Sequence, residues 1–256
     1  MTKIFAVTNQ KGGVGKTTTC VNLAASLVAT KRKVLLIDMD PQGHATLGSG
    51  IDKQSLQYSV YDVLMEGLPI EQALIKTDPA GYDLLAANVD LAGAEVSLIN
   101  EPQRERKLKQ ALENIDGCYD FILIDCPPSL NLLTINALTA ARGVLVPVQC
   151  EFYALEGLSS LLETLRRVSS SVNPGLEISG IIRTMYDPRN SLTRDVSKQL
   201  MEYFGRQVFV TVIPRNVRLA EAPSHGLPVF CYDAKSKGSQ AYLALAGELM
   251  RRYSLD

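Results

Sequence analysis

The sequence predicts an α/β fold: one domain, residues 1–256, in which a mostly parallel, twisted β-sheet carries helices on both faces. Short apolar runs alternate with longer helical patterns, which is typical of repeated strand–helix–strand units. Two runs, Val34–Ile37 and Phe121–Ile124, are continuously apolar, as expected of central strands covered on both faces. The 256 residues suffice for one sizeable core, and no long linker interrupts them.

The expected elements follow in order along the chain. Strands are expected at residues 3–8, 33–38, 82–86, 119–125, 143–148, 177–184 and 207–212. Longer helices are expected at residues 16–30, 101–115, 131–141, 155–172, 192–204 and 239–253. Residues 43–79 are the least regular and predict loops with short helices, such as one at residues 60–65. In such a sheet, ligands bind beyond the carboxyl ends of the strands.

Composition excludes several classes of protein. With 46% hydrophobic and 21% charged residues, the chain is neither disordered nor fibrous. Five widely spaced cysteines without a Cys-x-x-Cys pair favour reduced thiols, and His44 and His225 lack a metal-binding pattern, so we expect both to be surface or structural residues. Neither a secretory signal nor a long apolar segment is visible, so we expect a cytoplasmic protein.

Residues 10–18 form a glycine-rich loop between the first strand and the first helix, the order that a phosphate-binding P-loop requires. Glycines let the backbone turn sharply, so that N–H groups and the helix N-terminus point at phosphate oxygens. Lys16 is placed to reach the β- and γ-phosphates, Thr17 to ligate Mg²⁺, and Thr18 to add a hydrogen bond. The predicted nucleotide-binding residues of this loop are Lys11, Gly12, Gly13, Val14, Gly15, Lys16, Thr17 and Thr18.

The loop departs from the strict pattern Gly-x-x-x-x-Gly-Lys-Ser/Thr, because Gln10 occupies the first glycine position. A dinucleotide-binding pattern fails as well, since Thr18 stands where its third glycine belongs. What remains is Lys-Gly-Gly-x-Gly-Lys-Thr, a loop that begins with a second lysine, Lys11.

This loop resembles that of the deviant Walker A ATPases, the family that includes ParA-type partition proteins, MinD and the nitrogenase iron protein, and the resemblance covers nearly the whole chain. It implies that Lys11 reaches across a homodimer interface to the other subunit's phosphates, so that two protomers sandwich two ATP molecules. A cation at that point offsets charge that develops during phosphoryl transfer. We therefore expect ATP and Mg²⁺ as cofactors, with Lys11 and Lys16 as catalytic residues.

Two further strands end in aspartate, at Asp38 and Asp125. Asp125 precedes Cys-Pro-Pro and resembles a Walker B aspartate in the Mg²⁺ shell. The resemblance implies that Asp38 supports the same shell and that Asp40 orients the attacking water as a third catalytic residue. Residues 41–43, with Gln42 at the nucleotide, and residues 126–128 are expected to be switch segments.

Adenine must be held elsewhere, and the resemblance points to the loop after the last strand, residues 213–219. Pro214 and Asn216 are the candidates there. An exposed Pro-Arg-Asn turn is also ordinary loop chemistry, so this assignment rests on the resemblance.

Several features separate the members of the family. A nitrogenase-type reductase is excluded, because Cys126 directly abuts Asp125 and no Gly-Cys-Ala-Gly segment precedes it. The short tail, residues 249–256, ends in an acid and does not resemble the basic membrane helix of MinD, so we expect no membrane attachment. The segments 38–46, 149–157 and 213–226 look specifically like ParA and Soj partition ATPases, of the compact kind without an N-terminal helix-turn-helix extension.

The resemblance implies an ATP-dependent DNA-segregation ATPase whose dimer binds nucleoid DNA without sequence preference and is released when a ParB-type centromere-binding partner stimulates hydrolysis. Residues 160–256 hold 13 Lys or Arg against 9 Asp or Glu, a modest basic excess. The candidate DNA-binding residues are Arg189, Arg194, Lys198 and Arg218, with Arg215, Lys235 and Lys237 as outer members. A MinD-like positioning ATPase, or a metabolic P-loop enzyme such as a dethiobiotin-synthetase-like ligase, remains the alternative.

Overall fold

An eight-stranded sheet forms the centre of the computed structural model, which describes residues 2–253. Its order is β3-β4-β2-β5-β1-β6-β7-β8, and all neighbouring strands are parallel except β3 and β4. The strands are β1 (Lys3–Val7), β2 (Val34–Asp38), β3 (Leu74–Lys76), β4 (Asp83–Leu85), β5 (Phe121–Asp125), β6 (Gly143–Gln149), β7 (Glu177–Tyr186) and β8 (Val208–Pro214). The predicted α/β class with a mostly parallel sheet is confirmed.

Helices cover both faces of this sheet. Within the described residues they are α1 (Lys16–Ala29), α2 (His44–Gly48), α3 (Val60–Met65), α4 (Ile70–Ala73), α5 (Leu91–Ser97), α6 (Lys107–Glu113), α7 (Leu132–Ala140), α8 (Ala154–Ser171), α9 (Ser191–Phe204), α10 (Val217–Glu221), α11 (Val229–Tyr232) and α12 (Lys237–Arg252). A separate hydrophobic cluster lies on each face. Ile122 and Ile124 belong to one cluster, and Phe121 and Leu123 to the other. Alternate strand residues point to opposite faces, which is why the central strands are apolar at every position.

The register of the central strands places two carboxylates side by side. Asp38 on β2 is the pairing partner of Asp125 on β5, and both are the last residues of their strands. The neighbouring strand β1 ends at Val7, immediately before the glycine-rich loop. The sheet therefore brings the loop and both aspartates to one edge.

The predicted strands lie within two residues of the observed ones, but two parts of the expected pattern were wrong or incomplete. The helix expected at residues 101–115 spans only Lys107–Glu113, because Gln103 adopts a left-handed backbone with φ of 54° after Pro102 and the chain turns there. The short antiparallel edge strand β3 and the helices α5, α10 and α11 were not expected, and α10 begins within residues 213–219, which were expected to be a loop.

No helix within residues 2–253 is long and apolar enough to cross a membrane. The prediction of no membrane attachment was made from residues 249–256, and the structure describes only part of that segment. The helix α12 runs to Arg252, whereas residues 254–256 of the predicted tail lie outside the described residues.

Candidate active site

A cavity of about 720 Å³ opens at the carboxyl edge of the sheet, above β1, β2 and β5. The glycine-rich loop forms its floor, and the loops after β2 and β5 form its sides. The lining residues include Gly12, Gly13, Gly15, Lys16, Thr17, Thr18, Asp40, Pro41, Gln42, His44, Pro127 and Pro128. We call this space the phosphate cavity, because its floor is the predicted phosphate loop.

The loop is shaped by glycines at two positions. Gly13 and Gly15 adopt left-handed conformations, with φ of 73° and 88°, and Gly15 caps the N-terminus of α1. Other residues adopt this conformation only at a cost in free energy. Val14 between them is buried and fixes the loop to the core. The N-terminus of α1 thus faces the cavity, as an anion site requires.

Three side-chain bonds that the sequence did not indicate hold this loop to distant strands and helices. Asn9 donates through Nδ2 to the Pro147 carbonyl on β6 at 2.8 Å. Gln10, the residue at the missing glycine position, donates to Thr164 Oγ1 on α8 at 3.0 Å. Thr184 Oγ1 on β7 donates to the Val14 carbonyl at 2.8 Å. The partners are separated by 138 to 170 residues, so no local motif displays them.

Lys16 lies at the base of the cavity and is only 7% exposed. Its Nζ donates to the Lys11 carbonyl at 3.3 Å. Burial lowers the pKa of this ammonium group, and the nearby charges of Asp125 and Asp40 oppose that shift. A largely desolvated cation without an ion-pair partner among the described contacts is well suited to a phosphate oxygen.

Lys11 does not point into the phosphate cavity of its own protomer. Its Nζ donates to Glu151 Oε2 at 2.8 Å, and the two side chains remain 38% and 46% exposed. Glu151 lies just after β6. The second lysine of the loop is thus held on the outer surface, beside the exposed residues Gly12 and Gly13.

Asp38 organises the loop that carries Asp40. Its Oδ2 accepts hydrogen bonds from the Thr46 backbone N–H and hydroxyl, both at 2.8 Å, and its Oδ1 accepts from the Asp40 N–H at 3.2 Å. Asp38 itself is fully buried. Asp40 lines the cavity and accepts the Gln42 N–H at 2.9 Å, which gives this loop a defined shape. Asp38 therefore acts on the site chiefly through the loop.

Asp125 has a carboxylate oxygen available for a metal ion. Its Oδ1 accepts a weak bond from the Cys20 thiol at 3.5 Å, whereas Oδ2 is buried without a hydrogen-bond partner. Burial raises the pKa of this carboxyl group, the charge of Asp38 raises it further, and the neighbouring Thr17 hydroxyl opposes both. An uncompensated buried carboxylate beside a hydroxyl is a fitting ligand set for a cation.

The described residues contain no group of three or more His, Cys, Asp or Glu side chains that could enclose a metal ion alone. Mg²⁺ usually takes one or two protein ligands and completes its shell with water and substrate phosphates. The residues that would hold Mg²⁺ here are Thr17 and Asp125, with Asp38 next to them.

A second cavity, of about 220 Å³, adjoins the first at Gly15 and Thr18. Pro214 and Asn216, the candidates for adenine, both line it, and we call it the base cavity. Asn216 also caps α10 by accepting the Leu219 N–H at 3.3 Å. Leu219, the last residue of the predicted adenine loop, also lines it, whereas the sequence did not indicate Thr184, Met185 and Tyr242.

Gln42 and His44 are two exposed residues that also line the phosphate cavity. Gln42 is exposed, and its carbonyl accepts a hydrogen bond from Lys53 Nζ at 2.7 Å. His44 is exposed at the start of α2 and lines the same cavity, although we expected only a surface or structural residue from its sequence context.

The DNA-binding candidates lie in the segments that follow β7 and β8. Arg194 and Lys198 lie one turn apart on α9, Arg189 precedes that helix, and Arg218 lies on α10. The two loops are joined where the Arg215 N–H donates to the Tyr186 carbonyl at 3.3 Å. We call Arg189, Arg194, Lys198 and Arg218 the basic corner. Of the outer candidates, Lys235 and Lys237 lie at the start of α12.

Most charges of the basic corner have an acidic partner within the chain. Arg189 forms two bonds with Asp187, at 2.9 and 2.8 Å, and Arg218 binds Glu221 at 2.8 Å. Lys198 lies 3.8 Å from Glu202. Arg194 instead donates to the Pro188 carbonyl at 2.7 Å, so its charge is not offset by that contact.

A parallel sheet that presents a phosphate loop and a buried aspartate at neighbouring strand ends is the arrangement of the P-loop nucleotide hydrolases. The base cavity beside the loop completes the space that a nucleotide needs. The fold and the site together therefore define the class of this protein.

Comparison with known proteins identifies the family within this class. A family model described as an AAA domain matches residues 2–178. The chromosome partitioning protein ParA of Caulobacter vibrioides is 52% identical over 252 residues, covering 98% of this chain and 94% of ParA. The sporulation initiation inhibitor protein Soj of Bacillus subtilis is 52% identical over 249 residues, covering 97% and 98%.

A solved structure is similar over the full length. The crystal structure of cobyrinic acid a,c-diamide synthase from Mycobacterium smegmatis, with bound ADP and magnesium, has a TM-score of 0.88 at 42% identity and covers 100% of this chain and 96% of that protein. The chain belongs to the family of ParA and Soj partitioning ATPases. The predicted resemblance to that family is confirmed.

Proposed function

We propose that this partitioning ATPase, a single domain, works as an ATP-dependent dimer on DNA. ATP and Mg²⁺ occupy the cleft, and two protomers join through the face that carries Lys11 and Gly12. The dimer binds nucleoid DNA in the cytoplasm without sequence preference. A ParB-type centromere-binding protein then stimulates hydrolysis and releases the dimer from DNA.

The main support for the proposed dimer is the surroundings of Gly12. Gly12 is exposed, a Cβ atom added to it meets nothing within 4 Å, and it is not among the glycines with a left-handed backbone. Neither space nor conformation within the protomer therefore requires glycine at this position. Bare backbone beside a phosphate site suits the close approach of a second chain.

The surface around Gly12 supports the same proposal. Phe152 and Tyr153 follow Glu151, are 74% and 65% exposed, and pack edge to face with ring centroids 5.1 Å apart. Exposed aromatic pairs of this kind are common at protein interfaces. Lys11 and Glu151 lie on the same face with opposite charges, so the surface is complementary to a copy of itself related by a two-fold axis.

The proposed hydrolysis uses groups on both sides of the cleft. Lys16 binds the β- and γ-phosphates, and Asp40 orients the attacking water from the loop that Asp38 holds. Thr17 and Asp125 hold Mg²⁺, which offsets the charge of the phosphates. Lys11 of each protomer supplies a further cation to the other subunit's nucleotide, which stabilises charge developing in the transition state.

The basic corner explains why binding to DNA would depend on ATP. Internal acids offset three of its four charges in one protomer, so a single corner binds phosphates weakly. Two corners in one dimer engage DNA together, and the second contact forms at a high effective concentration. Phosphate contacts of this kind do not distinguish sequences.

The test is retention of the wild-type protein on unrelated DNA fragments with ATP, with ADP and without nucleotide, at several salt concentrations. We expect retention with ATP alone and its loss as salt rises. Addition of the ParB-type protein from the same cell should then increase ATP turnover and shorten retention. Equal retention under all nucleotide conditions would contradict the proposal.

A second candidate is a metabolic P-loop synthase, which the name of the Mycobacterium smegmatis protein favours. The DNA-retention experiment distinguishes the synthase from the partitioning ATPase. A synthase gains no affinity for DNA from ATP, and its ATP consumption requires a small acceptor molecule. ATP-dependent DNA retention without any such acceptor therefore favours partitioning.

A further inference from the structure

Met185 has an unusual backbone for its residue type. Its φ is 49°, in the left-handed region, which only two other non-glycine residues of the described chain adopt, Lys31 and Gln103. Lys31 follows the end of α1, and Gln103 lies in a turn, whereas Met185 is part of the strand β7. The pairing of β7 with β8 shifts register between Arg183 and Tyr186, so Met185 lies at an irregularity of the strand. Strained backbone at such a position is held there by its surroundings and is concentrated at functional sites.

The position of Met185 suggests what this conformation serves. The residue is half-buried and lines both the phosphate cavity and the base cavity. It also lines a third cavity of about 260 Å³, which includes Glu151 and Asp187. Met185 therefore lies at the junction of the spaces that receive the two ends of a nucleotide.

The residues on both sides of Met185 are tied to opposite parts of the cleft. Thr184, 3% exposed, donates through its hydroxyl to the Val14 carbonyl of the phosphate loop at 2.8 Å. The Tyr186 carbonyl accepts the N–H of Arg215, which lines the base cavity, at 3.3 Å. These bonds fix the backbone before and after Met185, so the left-handed turn between them is imposed.

We propose that Met185 is a nucleotide-positioning residue, whose left-handed backbone directs the side chain into the junction of the two cavities to pack against the adenosine part of ATP. A thioether on a flexible, unbranched chain adapts well to an aromatic base or a ribose. Because the contact is made to adenosine and not to the transferred phosphoryl group, it contributes equally to the ground state and the transition state. This inference rests on ATP binding by the chain and requires neither dimer formation nor DNA.

The experiment compares two probes, MgATP and magnesium tripolyphosphate, by calorimetric titration of the full chain. Met185→Ala should weaken ATP binding by about fivefold to tenfold, the effect of losing a few buried methylene contacts, and leave tripolyphosphate binding unchanged. Met185→Leu keeps the volume and should stay within about twofold of wild type. In steady-state assays the alanine variant should raise KM while kcat is unchanged.

Met185→Gly tests the backbone. Glycine adopts the left-handed conformation without strain, so this variant should melt at a higher temperature than Met185→Ala and yet bind ATP equally weakly. A lower melting temperature for Met185→Gly than for Met185→Ala would contradict the claim that the surroundings impose the left-handed backbone at Met185.

Two further variants serve as controls. Met65→Ala removes a half-buried methionine of α3 that borders none of the three cavities, and it should alter neither titration. Thr184→Val removes the bond to the Val14 carbonyl and should weaken both probes. Unchanged ATP affinity in Met185→Ala, or equal losses for both probes, overturns the proposal, whereas a wild-type chain that binds no ATP overturns the proposed function itself.

Discussion

The phosphate loop and the basic corner lie within the same edge of the sheet but are built in opposite ways. The loop is held by buried bonds to β6 and β7 and a part-buried bond to α8, and Lys16 is almost fully buried. The corner is exposed, and most of its charges are paired with acids a few residues away. The phosphate loop is therefore preorganised in the isolated protomer, whereas the basic corner has most of its charge offset by internal acids.

Under the proposed function, a single protomer would recognise ATP, whereas the dimer would recognise DNA. A single chain provides the cleft for ATP, because every contact that shapes the loop lies within it. The proposed DNA binding by the corner would gain most from a second protomer, because surface ion pairs would be exchanged for phosphate contacts and each exchange would contribute little. Five substitutions, with their control variants, can break or sharpen this contrast.

The largest effect is expected for Lys16→Ala. Without the desolvated ammonium group, phosphate binding loses charge-assisted hydrogen bonds, and ATP affinity should fall about tenfold to a hundredfold. ATP-dependent DNA retention should be lost with it. Titration with ATP and an ATPase assay measure the change, with Lys109→Ala, an exposed lysine of α6, as the control. Normal turnover in Lys16→Ala would refute the assigned role.

Asp40→Ala should separate binding from hydrolysis. The variant keeps the loop lysine and the Mg²⁺ ligands, so we expect ATP affinity close to wild type and turnover lower by on the order of a hundredfold. The ATP-bound dimer should then persist, which light scattering can follow over time. A variant that hydrolyses ATP at the normal rate would show that another group orients the water.

Gly12→Val should affect the dimer alone. Nothing in the protomer meets the added Cβ atom, so the melting temperature should stay close to that of the wild type and ATP affinity should remain within about twofold of it, as for other surface changes. Dimer formation with ATP should be blocked. The matched variant is Gly15→Val, which forces a branched residue into a left-handed conformation with φ of 88° and should destabilise the loop itself. A Gly12→Val chain that dimerises normally would contradict the proposed interface.

The smallest effect is expected at the basic corner, and its sign is informative. Asp187→Asn releases Arg189 from its ion pair and should strengthen ATP-dependent DNA retention by about twofold to threefold. Arg194→Ala should weaken retention and reduce the slope of affinity against salt by about one, the value for a single phosphate contact. Retention measured against salt concentration checks both. Weaker binding by Asp187→Asn would mean that the ion pair orders the corner for DNA.

The parts of the site that could be predicted from the sequence are those encoded by neighbouring residues. The phosphate loop and the strand-end aspartates are contiguous segments with their own patterns, whereas Pro214 and Asn216 were assigned from the family resemblance. The anchors Asn9 and Thr184 were missed because each depends on a partner brought close only by the sheet order. Met185 was missed for a similar reason, since a left-handed methionine has no signal in the sequence.

The acidic partners of two DNA-binding candidates could have been predicted from their spacing in the sequence. Glu202 follows Lys198 by four residues and Glu221 follows Arg218 by three, spacings at which opposite charges pair on a helix. These acids could have been used to weigh the DNA-binding candidates. The fold shows the same division: the long apolar strands were predicted, whereas the three-residue strand β3 and the short helix α5 were too brief to produce a clear period.

The contact between Lys11 and Glu151 has a kinetic consequence. A protomer alone keeps this lysine occupied by its own glutamate, and in the proposed dimer the lysine must leave that partner to serve the neighbouring nucleotide. At low dimer occupancy, ATP consumption per unit volume would then rise with the square of the protein concentration, and consumption per molecule would rise in proportion to that concentration. Dilute regions of the cell would conserve nucleotide, and crowded regions would consume it.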